Sequence, residues 1–264
     1  MSDVGVFSDL DRTLIYSAAA LDLTVPDEAA PRLLCVELYQ RAPLSYVTER
    51  AAVGIAALNE ARALVPVTTR TPAQYRRVHL PGPEPAYALT ANGGRLLRDG
   101  VEDEDWSTAL ASRLEGSGAA FAEVYAALRD RSEQAPWVRT VREAEGLFCY
   151  AVVERATMPA AWLEELTGWC TDHGWTVSVQ GRKIYCVPVG LSKAAAIREV
   201  ALMLGVSTAL AAGDSLLDTG GKAVRPAHGE LHETAYARPG LTVTTATGVA
   251  AGEEIVDWML AHAL

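Results

Sequence analysis

Long apolar runs, paired cysteines and a surplus of positive charge are all missing from this sequence of 264 residues. No uninterrupted hydrophobic stretch reaches the ~20 residues that a membrane helix needs, so no membrane span or membrane partner is expected. Lys and Arg total 23 against 33 Asp and Glu, a formal net charge of -10. That balance disfavours nucleic acid or an anionic lipid surface as the main partner, and leaves room only for a local basic pocket. The four cysteines, Cys35, Cys149, Cys170 and Cys186, show no CxxC spacing. Neither a zinc site nor a disulfide framework is implied, and buried free thiols are the expected state. There is no internal repeat and no low-complexity tail. The polar start, Met1-Ser2-Asp3, runs directly into a predicted strand and does not read as a signal peptide, so a cytoplasmic location is the expectation.

What the chain does have is the composition of a core-forming protein, half hydrophobic and 21% charged, with the length for one α/β core plus a smaller unit. Residues 4–7, Val-Gly-Val-Phe, read as a buried strand. It delivers Asp9, Asp11 and Thr13 at its carboxyl end, where ligands bind in open α/β sheets. Strand alternation places Asp9 and Asp11 on one side. Two such close carboxylates repel unless a cation or a shared proton compensates. A nucleophile and metal site for phosphoryl transfer is one reading of these residues, and an ordinary polar turn is the other.

Further along, residues 33–39 and 44–47 read as a hairpin, and 49–63 as a helix with Val53, Ala57 and Leu58 on one face. A second buried strand at 63–67 ends in Thr68-Thr69-Arg70, although Pro66 inside it removes a ladder donor. A short helix at 72–78, a strand at 86–90 and the turn Ala91-Asn92-Gly93-Gly94 follow. From about residue 101 the texture changes to helices, two strands, a helix and two strands, an α+β module. Strand–helix alternation returns after Pro188. Ser192 caps a helix over 193–204, a strand over 208–212 stops at Gly213-Asp214-Ser215-Leu216-Leu217-Asp218, and a short strand over 241–245 precedes a closing amphipathic helix over 252–262.

Three strands expected to be parallel thus end at Asp9, Thr68 and Asp214, and a helix opening at Lys193 adds a cation. In this order the chain resembles the haloacid dehalogenase superfamily of phosphatases. Asp9-Leu10-Asp11-Arg12-Thr13 matches the first motif, Thr68 the second, Lys193 the third and Gly213 to Asp218 the fourth. The module at 101–187 falls where a C2-type cap is inserted, between core segments 1–100 and 188–264. With Ala91-Asn92-Gly93-Gly94 and Gly190-Leu191-Ser192-Lys193, it is similar to the sucrose-phosphate phosphatase and mannosyl-phosphoglycerate phosphatase branch. The implied fold is a Rossmann-like parallel-sheet α/β core with an α+β cap.

By that resemblance, Asp9 attacks phosphorus to form an aspartyl-phosphate, and Asp11 protonates the leaving oxygen and then deprotonates water. Thr68 binds a phosphoryl oxygen and Lys193 balances charge. Mg2+ is held by Asp9, the Asp11 backbone carbonyl and Asp214, with Asp218 nearby as a ligand through water or a clamp on Lys193. The implied substrate is a small phosphorylated metabolite, with sugar phosphates favoured. A phosphomutase and a metabolite-binding protein without turnover are the alternatives. Three departures from the family pattern stand out: Thr69 where glycine is usual, Arg12 in place of glycine, and Leu217 where close relatives often carry asparagine. Thr69 supplies the hydroxyl instead of Thr68 if the register slips by one. Thr13, Thr69, Arg70, Asn92, Arg182 and Lys183 are further candidates for touching substrate, alongside Arg139 and Arg142. A solvated face is the competing explanation for the charges; Trp137 and Tyr150 are candidates for stacking on a ring, with aromatic core packing the competing and favoured explanation. His228 and His232 have the i, i+4 spacing of a metal pair, but Pro226 and Gly229 argue against a regular helix there.

Overall fold

The apolar run at residues 4–7 is an interior strand of a parallel sheet in the computed structural model, which describes residues 3–213, 222–229 and 239–264. The chain divides into two compact units, residues 1–103 with 193–264 and the intervening 104–192.

In the first unit, β1 (Val4–Ser8) is followed by the short β2 (Tyr16–Ser17) and by a hairpin of β3 (Leu33–Tyr39) and β4 (Ala42–Thr48). Gln40 and Arg41 turn the hairpin with φ of +51° and +65°, the two-residue geometry whose twist suits the flanking strands. Helix α1 (Glu49–Glu60) starts at Thr48, whose side chain accepts the Ala51 N–H, an N-cap that satisfies one orphan donor. It buries Ala51, Ala52, Gly54, Ile55, Leu58 and Asn59, rows spaced by three and four residues. Val53 falls between those rows and is 71% exposed, against the expectation that it faces inward. β5 (Leu64–Pro66), the short α2 (Pro72–Tyr75), β6 (Tyr87–Thr90), β7 (Arg95–Arg98) and β8 (Val101–Glu102) complete this half of the unit.

The second unit runs α3 (Glu104–Leu114), α4 (Phe121–Ser132), β9 (Val138–Ala144), β10 (Phe148–Val153), α5 (Ala160–Asp172), β11 (Trp175–Gln180) and β12 (Lys183–Pro188). Its strands form one antiparallel sheet in the order β11-β12-β10-β9, against which α4 and α5 pack. Cys149 and Cys186 are cross-strand partners in it. They and Cys170 of α5 are buried free thiols, but Cys35 on β3 is exposed, which corrects the expectation for that residue.

The chain then re-enters the first unit through α6 (Lys193–Leu204), β13 (Thr208–Ala212), β14 (Ala223–Arg225), β15 (Leu241–Val243) and α7 (Gly248–Ala263). The main sheet has the order β15-β14-β13-β1-β5, with every pair parallel. Pro66 lies on its edge strand, with Val67 N–H and Ala63 C=O bonded to β1. Alternation therefore turns the Pro66 nitrogen away from β1, and no ladder bond to β1 is lost. Strand β14, at three residues, is too short to leave a periodic signature. Gly54 of α1 lies so close to α7 that a Cβ there would meet the Val256 side chain at 2.3 Å. Val6, Leu10, Ile55, Leu58, Ile255 and Met259 belong to one core cluster, each almost wholly buried. Among the described residues, no helix is long and apolar enough to cross a membrane.

Candidate active site

Strand β1 delivers its polar residues into a position bonded on both sides. Asp9 N–H donates to Ala212 C=O of β13 at 2.8 Å, and Ser8 C=O accepts from Val67 N–H beyond β5 at 2.7 Å. Asp9 is only 6% exposed. Its Oδ1 accepts the Leu10 N–H at 2.7 Å, and its Oδ2 accepts from Lys193 Nζ at 2.6 Å. Lys193 opens α6 and is itself buried. Burial raises the Asp9 carboxyl above the ordinary aspartate range, and the Lys193 charge and hydrogen bond pull back against that rise. The pair is a carboxylate held ready by one buried ammonium.

Asp11 meets a different environment. The strand ends at Ser8, and the chain then turns tightly about Leu10, whose C=O accepts from Thr13, Leu14 and Ile15 N–H at 3.2, 2.9 and 2.9 Å. Arg12 takes φ of +60° in that turn, a left-handed conformation that favours glycine. The Asp11 side chain is half exposed, and Arg70 grips it with a fork: Nε to Oδ2 at 2.9 Å and Nη2 to Oδ1 at 2.8 Å. The two aspartates are therefore differentiated, one buried on a lysine and the other bound by an arginine at the surface.

Thr68 is wholly buried; its N–H donates to Leu89 C=O and its C=O accepts from Asn92 N–H at 2.9 Å. Its hydroxyl accepts the Arg70 N–H at 3.1 Å, which leaves the hydroxyl proton for donation elsewhere. Thr69 is half-buried. Asn92, at φ of +62°, sits in a turn tied to the same segment, because Ala91 N–H donates to Arg70 C=O at 2.6 Å. Thr13 is fully buried, and its hydroxyl makes no hydrogen bond among the described residues. Asp9 is thus bonded to Lys193, and Asp11, Arg70, Thr68 and Asn92 form a second bonded group, both at the carboxyl end of the parallel sheet. Arg182 and Lys183 are exposed in the other unit, where Lys183 Nζ lies over the Tyr150 and Tyr185 rings at 5.4 and 5.9 Å from their centroids. Asp214, Ser215, Leu217, Asp218 and His232 lie outside the described residues.

His228 does not take part in a metal pair. Its Nδ1 accepts the Gly248 N–H at 3.1 Å, which makes Nε2 the protonated nitrogen that donates to Arg12 C=O at 3.0 Å. Both ring nitrogens are spent on backbone, and burial lowers the imidazole below its usual range. This neutral ring joins the turn after β1 to the start of α7.

One charged residue escaped the sequence reading. Glu37, in the middle of β3, is buried against Ser45, Arg70 and Arg77. The signal was a lone carboxylate in Leu-Leu-Cys-Val-Glu-Leu-Tyr, an otherwise apolar strand, but its arginine partners lie more than 30 residues away.

No family model and no curated protein matches this sequence. Solved structures do match over nearly the whole chain. The sucrose-phosphatase of Synechocystis sp. PCC6803, solved with sucrose and phosphate, aligns at 16% identity and a TM-score of 0.65, covering 99% of this chain and 98% of that one. A trehalose-6-phosphate phosphatase related protein aligns at 18% identity and 0.55, covering 98% of each. The haloacid dehalogenase subclass IIB sugar phosphatase BT4131 aligns at 12% and 0.56, covering 97% and 98%. The chain has the fold of haloacid dehalogenase-type phosphatases, a parallel-sheet α/β core with an inserted α+β unit. At these identities the likeness establishes the fold.

Proposed function

We propose that this protein is a Mg2+-dependent phosphatase that hydrolyses the phosphate monoester of a small metabolite, with sugar phosphates the favoured class. The observation that carries the reading is the buried Asp9–Lys193 pair at 2.6 Å, at the carboxyl end of an interior parallel strand. A buried carboxylate beside a fixed cation is suited to attack on an anionic phosphoryl group, because the cation offsets the repulsion between the two anions. Sugar phosphates are favoured because a sucrose-phosphatase, a trehalose-6-phosphate phosphatase related protein and a subclass IIB sugar phosphatase share the fold.

In the proposed first step an Asp9 carboxylate oxygen bonds to phosphorus as the bond from phosphorus to the ester oxygen breaks. Asp11 gives that leaving oxygen its proton. In the second step Asp11 takes a proton from water, whose oxygen bonds to phosphorus, releasing phosphate and the Asp9 carboxylate. Thr68 donates its hydroxyl proton to a phosphoryl oxygen, and Lys193 holds Asp9 ionised and oriented. Asp9, the Asp11 backbone carbonyl, Asp214 and Asp218 are the residues proposed to hold Mg2+. They are an oxygen-only donor set of the kind a hard cation takes. Bound there, Mg2+ would supply positive charge toward the transferring phosphoryl group. Among the described residues no three His, Cys, Asp or Glu side chains gather as a metal centre, so the reading requires Asp214 or Asp218. The inserted unit is proposed to act as the cap that selects substrate, with Arg182 and Lys183 the first residues to substitute there.

The test is hydrolysis of 4-nitrophenyl phosphate and a panel of sugar phosphates with Mg2+. Phosphate release is expected, with loss in Asp9→Asn and in chelator. Isomerisation of a sugar phosphate without phosphate release would identify a mutase. Tight binding of one metabolite by a protein inert across the panel would identify a binding protein.

A further inference from the structure

Arg70 is anchored as well as anchoring. While its Nε and Nη2 edge grips Asp11, its Nη1 lies 2.9 Å from Glu37 Oε2. Glu37 has no exposed side-chain surface. Its Oε2 also accepts from Ser45 Oγ at 2.6 Å, and its Oε1 lies 3.2 Å from Arg77 Nε and 3.1 Å from Arg77 Nη2. Arg77 is held in turn over the Tyr39 ring, 4.7 Å from its centroid. Charges alternate along the row Asp11, Arg70, Glu37, Arg77, and burial is deepest at Glu37.

The backbone is shaped to put Glu37 there. The pairing of β3 with β4 shifts register on both sides of Glu37. That irregularity lets Val36 and Glu37, adjacent in sequence, both be buried, where a regular strand would alternate. The Arg70 backbone is fixed too, its N–H on the Thr68 hydroxyl and its C=O on Ala91 N–H. A charged group is expensive to bury, and an apolar residue would serve packing alone as well. What the carboxylate adds is a second fixed point for the Arg70 guanidinium. A planar guanidinium hydrogen-bonded along one edge and in ionic contact with a buried carboxylate through Nη1 is restricted in orientation.

We infer that Glu37 is a positioning residue that acts through Arg70 to set where Asp11 stands, resting on the phosphatase reading in which Asp11 moves the proton. The acid matters most when the leaving oxygen is basic and least when it leaves readily as an anion. Loss of Asp11 placement therefore has a signature that general structural damage lacks.

The experiment measures kcat and KM with saturating Mg2+ for monoesters graded from 4-nitrophenyl phosphate to simple alkyl phosphates. In Glu37→Gln, kcat/KM is expected to fall roughly 10- to 100-fold on the alkyl esters and less than about 3-fold on 4-nitrophenyl phosphate, with the loss in kcat. Arg70→Lys keeps the charge but cannot form the fork, and should show the same graded loss. It also decides the matter if Glu37→Gln fails to fold. An equal loss across the series in either variant, or no loss, overturns the assignment while leaving the phosphatase reading intact. A wild-type protein inert on every ester overturns both.

Discussion

The Asp9–Lys193 pair makes a prediction whose size follows from burial. Lys193→Met removes the one ammonium that, among the described residues, bonds a carboxylate that is 6% exposed. Breaking a buried pair by deleting one partner typically costs about 3–5 kcal/mol, because the remaining charge is left without compensation. Asp9 can escape that penalty by taking up a proton, and this escape sets a ceiling. Against a reference carboxyl of 3.8, protonation at pH 7 costs about 1.36 × (7 − 3.8), or about 4.4 kcal/mol. The sign follows from linkage. With Lys193 gone, burial raises the folded-state Asp9 carboxyl further, so the native state binds more protons than the unfolded state above 3.8, and stability falls as pH rises through that window. The ceiling at pH 5 is about 1.36 × (5 − 3.8), or about 1.6 kcal/mol. Urea unfolding in the presence of chelator should therefore show Lys193→Met destabilised by about 3–4 kcal/mol at pH 7 and by less than about 2 kcal/mol at pH 5. Asp9→Asn is destabilised too, through an unpaired buried lysine, and the double variant should recover at least about 2 kcal/mol of the summed loss. Additive losses, or a Lys193→Met deficit that does not change with pH, would refute the claim that these two groups are buried against each other.

Three further outcomes are expected. Thr68→Ala should lower kcat/KM on 4-nitrophenyl phosphate roughly 100-fold, as loss of a transition-state donor does, with Thr69→Ala little changed; the reverse ranking would move the second motif by one residue. His228→Ala should lower the thermal midpoint most above pH 6.5, with the gap narrowing as pH falls. A depressed imidazole contributes stability that is present above its unfolded value of 6.5 and lost as pH falls through the folded one, and a gap independent of pH would show that the ring is mere packing. Asp214→Ala should raise the Mg2+ concentration needed for half-maximal activity or abolish activity altogether, read by titrating Mg2+ into chelator-treated protein. Unchanged Mg2+ dependence would remove Asp214 from the ligand set.

The core layout was legible because it rests on local signals. Residues 4–7 are an apolar run ending in aspartates, and α6 opens at Lys193 as the capped periodic segment requires. Errors arose where the signal was weak or tertiary. Val53 looked inward because it is apolar, but the helix period is set by Ile55 and Leu58, which face the core, and Val53 falls off their face. β14 escaped because its pairing with β13 and β15 defines it, and three residues carry no pattern. Pro66 looked misplaced because a linear chain does not say which strand will be the edge. Arg12 read as a departure from the family's glycine; in the structure it still adopts the left-handed conformation, with its C=O held by His228. The histidine thus secures a turn that the replacement of glycine makes less favourable.

The residues of the candidate site divide the same way. Asp9, Thr68 and Lys193 could be named because each stands at the end of an element the sequence announces. The environments that distinguish the two aspartates could not, since they come from pairs separated by 59 residues for Asp11 with Arg70 and by 184 for Asp9 with Lys193. From the sequence the aspartates look equivalent, two acids on one strand end, and only their motif positions assign them different roles. Folded, they differ by physical cause. Asp9 is deep, with a primary ammonium that can neutralise it without covering both of its oxygens. Asp11 is at the surface, and a guanidinium occupies both of its oxygens in a fork. If Asp11 carries the proton, as proposed, it has to free one oxygen to reach a leaving group, and the Asp11–Arg70 fork would have to loosen on that side. An arginine with a second, buried carboxylate could release one oxygen of Asp11 without being lost, because Glu37 would keep the guanidinium in place. That requirement gives the buried charge of Glu37 a reason that packing does not supply.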